Sequence, residues 1–178
     1  MASEGKRTFE DILQYRPICV GHGYDVHVFS DDPKRLLSLG GIILPGERGL
    51  KAHSDGDVVI HALCDALLGS VGLGDIGRWF PDDDQAFLNI DSKILLSRTV
   101  EKVLQKGYRI INADITILCQ KPKLSPFFGD MEKCLAKLLN KAQVNVKATT
   151  TEGMNAEGRS ECISAQAVCL VAAENFFA

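Results

Sequence analysis

The 178-residue chain has no stretch of eighteen apolar residues, so no segment of it can cross a bilayer as a helix. It has no excess of charge of one sign either. A net charge of −3 provides no general basic field for nucleic acid or an anionic membrane. The first sixteen residues are too polar for a secretory signal, and Glu4, Glu10 and Asp11 argue against an organelle transit peptide. Residues 1–16 are expected to be an N-terminal extension, with one helical turn around Phe9 to Tyr15, ahead of a single domain at 17–178. None of the six cysteines, Cys19, Cys64, Cys119, Cys134, Cys162 and Cys169, lies in a C-x-x-C pair. Their spacing does not suit zinc, and they are expected to be free, mostly buried thiols in a reducing cytoplasm. Repeats, low-complexity tracts and Ser/Gly/Pro linkers are also missing. What is present, 46% hydrophobic and 24% charged residues, is the composition of one ordinary globular domain.

Periodicity places the elements. Ile18 to Phe29 is β-rich and broken by glycines, which predicts a strand meeting a functional loop. Leu36 to Leu44 is a second strand candidate bent at Gly40-Gly41, with Pro45-Gly46 turning the chain afterwards. Asp57 to Val71 carries apolar residues at helical spacing, with Ser54 and Asp55 available as caps. Ser92 to Lys106 is an amphipathic helix stopped by Gly107. Arg109 to Cys119 alternates as a strand, Pro126 to Lys141 contains a helix, and Val144 to Thr149 and Ile163 to Ala172 are further strands. The order predicts an α+β fold: a single-domain α/β sandwich with a mixed sheet packed against helices.

The chemistry concentrates around four histidines, His22, His27, His53 and His61, which fall within forty residues. Asp25 and His27 are two apart on a strand and share a face. His61 lies on the predicted helix with Asp57 and Asp65 one turn to either side. Asp25, His27 and His61 would form a three-ligand zinc site with one position open, and Asp65 could orient an imidazole. His22 points to the opposite face. The pattern alone leaves a second reading open: two unrelated polar pairs, with His61 a hydrogen-bonded core histidine.

Three other blocks could handle phosphates and hydroxyls. His53, Ser54 and Asp55 precede a helix N-terminus, where unpaired N–H groups favour anions. Gly74-Asp75-Ile76-Gly77 and Phe80-Pro81-Asp82-Asp83-Asp84 are either surface turns, a polyol-binding loop or a cation site. Thr149-Thr150-Thr151-Glu152 exposes hydroxyls and a carboxylate able to take magnesium, although β-propensity alone explains threonines at a strand end.

Together the stretches GHGYDVH, AHSDGD with His61 following, GLGDIG, FPDDD, QKPK and VNVKATTTE resemble the 2-C-methyl-D-erythritol 2,4-cyclodiphosphate synthase family, in order and spacing, from about Ile18 to Val171. The resemblance implies a phosphorus–oxygen lyase of non-mevalonate isoprenoid biosynthesis. Its substrate would be 4-diphosphocytidyl-2-C-methyl-D-erythritol 2-phosphate, cyclised by intramolecular phosphoryl transfer with release of CMP. It implies one zinc per subunit on Asp25, His27 and His61, and a magnesium or manganese ion on Glu152. His53 and Thr150 would stabilise the transition state, and Ser54 and Val26 would border the phosphates. Asp75, Ile76 and Gly77, with Phe80, Pro81, Asp82, Asp83 and Asp84, would receive the erythritol. Cys119, Gln120, Lys121, Pro122, Lys123, Leu124 and Ser125 would form the cytidine pocket beside Thr149 and Thr151, and Arg159 matches a family arginine. The family is a homotrimer with interfacial active sites, so the sheets are expected to meet around a trimer axis. Ala156 departs from the family, which often has a bulky aromatic there lining an axial cavity for an isoprenoid diphosphate. A zinc phosphohydrolase and a non-catalytic nucleotide-binding module are the rival readings. The length given leaves no room for a fused cytidylyltransferase domain.

Overall fold

The structure, a computed structural model, describes residues 17–177. The helical turn expected around Phe9 to Tyr15 lies outside them. Strands β1 (Ile18–Val28), β4 (Tyr108–Leu118), β5 (Gln143–Thr149) and β6 (Cys162–Ala173) form one sheet in the order β1-β6-β4-β5. β6 is antiparallel to both β1 and β4, whereas β4 and β5 run parallel. A parallel pair needs a crossover, and helix α4 (Phe128–Leu138) provides it, packing on β5. Helix α1 (Val58–Ser70) lies across β1 and β6, and α3 (Ser92–Gln105) packs on α1 and β4. The expected mixed sheet packed against helices is therefore the observed one. Two one-turn helices, α2 (Ile76–Trp79) and α5 (Asn155–Gly158), sit in the connections.

The segment Leu36 to Leu44 is two strands, β2 (Leu36–Leu39) and β3 (Ile42–Arg48), rather than one bent strand. Gly40 and Gly41 both have positive φ, which suits a two-residue hairpin turn between Leu39 and Ile42. Pro45-Gly46 does not turn the chain. Pairing jumps from Leu37↔Leu44 to Leu36↔Arg48, so these residues form an irregularity within β3, where proline's missing N–H costs no ladder bond.

Alternation in β1 sends Cys19, Gly21, Gly23, Asp25 and His27 toward the helices and Ile18, Val20, His22, Tyr24, Val26 and Val28 outward. The two glycines decide how closely α1 can approach. A Cβ on Gly21 would lie 1.8 Å from the Ala66 carbonyl oxygen, and one on Gly23 would lie 2.0 Å from that of Ala62. Only hydrogen at these positions lets the helix backbone rest on the strand. Helix α1 is otherwise buried nearly all round: Val58, Val59, Ile60, Ala62, Leu63, Cys64, Ala66, Leu67 and Leu68 have no exposed surface. His61, Asp65 and Gly69, one turn apart, are its only residues outside that core. The outer face of the sheet is apolar yet open, with Val20 65%, Val28 54% and Val168 43% exposed.

The cap of α1 is Asp57, whose carboxylate accepts from Ile60 N, and not Ser54 or Asp55. Gly56, with φ +81°, kinks the chain just before it, so Ser54 and Asp55 are turned away from the helix's free N–H groups. Asp57 is fully buried and also accepts from the N–H groups of Gly40 and Gly41 and the Ser38 hydroxyl, tying the hairpin to the helix.

Candidate active site

Asp25, His27 and His61 converge. Asp25 Oδ2 lies 3.0 Å from His27 Nε2 and 3.0 Å from His61 Nδ1, and the two nitrogens are 3.0 Å from each other. Hydrogen bonds alone cannot satisfy this triangle. If both imidazoles donate to the carboxylate, their N–H groups face each other; if either nitrogen is bare, its lone pair faces another acceptor. A cation between the three atoms resolves the conflict. Tetrahedral zinc, with bonds of about 2.0–2.1 Å, asks for about 3.3 Å between ligand atoms, so the triangle needs to open by only a few tenths of an ångström. Among the described residues this is the one His/Cys/Asp/Glu group able to hold a metal. Burial works against the Asp25 charge, but hydrogen bonds and positive fields from His27 and His61 outweigh it and hold the carboxyl well below the usual range.

The triangle forms the floor of a cavity of about 420 Å³ that His53, Ser54, Asp65, Ile76, Gly77, Phe80 and Asp82 help to line. His53 Nε2 is 3.3 Å from the Asp84 carbonyl, so the loop at 80–84 faces the segment before α1. Phe80 is buried and meets Phe87 edge-on, while Asp84 caps the short turn at Gln85–Phe87. Asp75 caps α2 by accepting from Arg78 N. Asp65 does not orient an imidazole. Its Oδ1 accepts from Ile76 N at 2.7 Å and so anchors the Asp75–Gly77 loop to α1; burial pushes its carboxyl up. Sequence reasoning placed Asp65 near the site but missed this role, because the contact spans a loop whose path the sequence does not show. Val26 points its side chain to the opposite sheet face, and its N–H donates to Asp25 Oδ1.

A second cleft, of about 380 Å³, is lined by Cys119, Gln120, Pro122, Lys123, Leu124 and Ser125 together with Phe128, Ala148, Thr149 and Thr150. Lys121 is next to it but does not line it. Cys119 donates its thiol to the Lys121 carbonyl, and burial pushes that thiol up to about 12. Thr150 Oγ1 donates to Glu152 Oε1 at 2.9 Å, and Glu152 holds a positive φ of 53° at the exposed strand end. Thr151 turns into the next loop, toward Met154 and Asn155. Arg159 is exposed and paired through two hydrogen bonds with Glu161. The two clefts share no lining residue. Within one chain, Thr150 and Glu152 therefore stand apart from the metal triangle.

Residues 18–172 match the model of the YgbB family. The 2-C-methyl-D-erythritol 2,4-cyclodiphosphate synthase of Thiobacillus denitrificans is 52% identical over 158 residues, covering 88% of this chain and 98% of that protein. Among solved structures, the bifunctional IspDF of Campylobacter jejuni is similar at a TM-score of 0.85 and 41% identity over 90% of this chain. This chain spans 44% of that longer one. IspF of Plasmodium falciparum, solved as a CDP complex, is similar at a TM-score of 0.78 and 32% identity, covering 90% of this chain and 99% of that one.

Proposed function

The chain belongs to the YgbB family, and from that premise we propose that it converts 4-diphosphocytidyl-2-C-methyl-D-erythritol 2-phosphate to 2-C-methyl-D-erythritol 2,4-cyclodiphosphate and CMP. It would do so as a phosphorus–oxygen lyase of non-mevalonate isoprenoid biosynthesis, with residues 17–178 carrying the activity. The observation that carries the reading is the Asp25–His27–His61 triangle at the floor of a cavity large enough for a phosphorylated polyol.

The attacking group is a phosphate, anionic at neutral pH, and so is the leaving group. No strong general base or acid is needed, only charge neutralisation and in-line placement. Asp25, His27 and His61 would hold zinc, which would supply positive charge to the reacting phosphates. His53 donates to the reacting phosphates, as does Ser54. The Asp75–Gly77 loop, held by Asp65, receives the erythritol hydroxyls, and Phe80 to Asp84 close that side. Cys119 to Ser125 hold the cytidine, with Thr149 and Thr151 beside it. Thr150 stabilises the developing charge, Glu152 takes magnesium or manganese with the substrate, and Arg159 serves near the diphosphate.

Because the two clefts are separate within one chain, the active site is completed between chains, and the reading includes a homotrimer. The open apolar face formed by Ile18, Val20, Tyr24, Val26, Val28 and Val168 supports it as a surface for neighbouring copies. Among the described residues no helix is long and apolar enough to cross a membrane. The thiols of Cys64, Cys119, Cys134, Cys162 and Cys169, none of them in a disulfide, support a cytoplasmic location. A hydrolase would need a free carboxylate near the triangle to activate water. Asp57 is fully buried under backbone donors, whereas Asp65 has Oδ1 engaged by Ile76 N and lines the cavity together with Asp82, so the reaction product decides between the two readings.

The test is incubation of the purified protein with the cytidylyl substrate, followed by ³¹P NMR. Cyclic diphosphate with stoichiometric CMP is the expected result. The acyclic 2,4-bisphosphate, released with CMP, would assign hydrolysis instead, and nucleotide binding without turnover would leave a binding module.

A further inference from the structure

His61 contacts the triangle through Nδ1, and its other nitrogen faces two hydroxyls. Nε2 lies 3.0 Å from Ser54 Oγ and 3.1 Å from Ser92 Oγ. Sequence reasoning gave Ser92 no part in the site and its partner Asp55 only a place in the segment before α1. Ser92 is the first residue of α3 and has no exposed surface. The Asp55 carboxylate clamps it twice: Oδ2 accepts the Ser92 N–H at 3.1 Å, and Oδ1 accepts the Ser92 O–H.

This clamp determines where protons lie. A serine hydroxyl has one proton, and that of Ser92 is committed to Asp55. Toward His61 it can only accept, so it pairs with Nε2 only when Nε2 carries the proton and Nδ1 the lone pair, which is the form a metal on Nδ1 requires. On the other side of the ring the Asp25 carboxylate, 3.0 Å from Nδ1, draws the proton the opposite way until an ion takes its place. Ser54 cannot set this direction by itself. Its oxygen accepts from Gly56 N at 3.2 Å, but its own proton has no committed acceptor among the described residues, so it can meet Nε2 as donor or as acceptor.

We propose that Asp55, acting through the Ser92 hydroxyl, stabilises the Nε2–H tautomer of His61 that presents Nδ1 to the metal. Both are positioning residues that touch neither metal nor substrate. The inference rests on the metal reading given above, and it extends the site from the floor of the cavity into the α1–α3 interface. Losing either residue removes the one hydroxyl fixed as an acceptor for Nε2–H. In Asp55→Ala the Ser92 proton is released and can itself donate to Nε2. In Ser92→Ala, Ser54 is left as the sole hydroxyl partner. The Nδ1–H tautomer, which the Asp25 carboxylate favours, then gains, and it has no lone pair where the ion must bind.

Two measurements on the full chain test this. The first records ¹⁵N shifts of His61 in metal-free protein, under conditions where the ring is neutral. Wild type should show the larger Nε2–H fraction, and Asp55→Ala and Ser92→Ala should both shift toward Nδ1–H. The second measures zinc affinity by chelator competition. Both variants should bind zinc about 10–100-fold more weakly, the effect usual for an outer hydrogen-bond partner of a metal-binding histidine. Ser92→Thr keeps a hydroxyl and should stay near wild type. A wild-type tautomer and zinc affinity in both Asp55→Ala and Ser92→Ala would overturn the proposal. If wild type takes up no zinc, the metal reading fails separately, and the metal-free tautomer still decides the role of Asp55.

Discussion

Replacing Gly23 with alanine adds a single methyl group, but it strikes backbone. The new Cβ would stand 2.0 Å from the Ala62 carbonyl oxygen and 2.7 Å from Ala66 N, both in α1, so no side chain can swing aside. Restoring even 3.0 Å to that oxygen, from 2.0 Å, moves the helix about 1 Å off the strand at this turn. His61 is the residue before Ala62, and Asp25 lies two residues along β1 from Gly23. The displacement therefore opens the 3.0 Å separations from His61 to Asp25 and His27 directly. Metal–ligand distances tolerate about 0.2 Å, so about 1 Å is several times too much. Overpacking of this kind costs about 1–3 kcal/mol. Gly23→Ala should lose that stability in urea unfolding of the metal-free protein, and it should lose most of its zinc affinity in chelator competition while still folded. Gly69→Ala is the control: its Cβ meets nothing within 4 Å, and an exposed helical glycine to alanine gains about 0.5–1 kcal/mol. Wild-type zinc affinity in folded Gly23→Ala would refute the claim that the strand–helix distance sets the site.

Further perturbations separate the roles of individual residues. His61→Ala should fold and lose zinc and most activity; full zinc content by elemental analysis would refute its assignment as a ligand. Glu152→Gln should raise the magnesium needed for half-maximal rate while leaving zinc content unchanged, and an unaltered magnesium titration would count against its role. Asp57→Ala removes a helix cap and strands the buried N–H groups of Gly40 and Gly41. It should cost about 2–4 kcal/mol in urea unfolding with zinc stoichiometry retained. The Cys119 and Cys64 thiols, both pushed up to about 12 by burial, stay protonated at neutral pH. Iodoacetamide at pH 8 should label them slowly in the native protein and rapidly once urea unfolds it, and fast native labelling would contradict their burial.

Much of the architecture was legible because it is local. The period of two in Ile18 to Val28 put Asp25 and His27 on one face and His22 on the other, as observed. The apolar period of α1 predicted its extent to within a residue at each end. The misreadings were also physical. Pro45-Gly46 has turn composition, yet an irregular edge pairing absorbs it within β3. Ser54 and Asp55 are good caps by type, yet Gly56 turns them away and leaves that work to Asp57.

By itself, the sequence determined which residue types were available and which shared a strand face or a helix face, because those relations depend on neighbours two to four positions away. Only the tertiary structure decided which faces meet. His61 reaches Asp25 across 36 positions because Gly21 and Gly23 let two backbones touch. Asp65 holds a loop because α2 packs on α1, and Ser92 faces an imidazole because α3 packs on α1. Such contacts are set by distances between backbones summed over the whole core, and no local pattern in the chain records them.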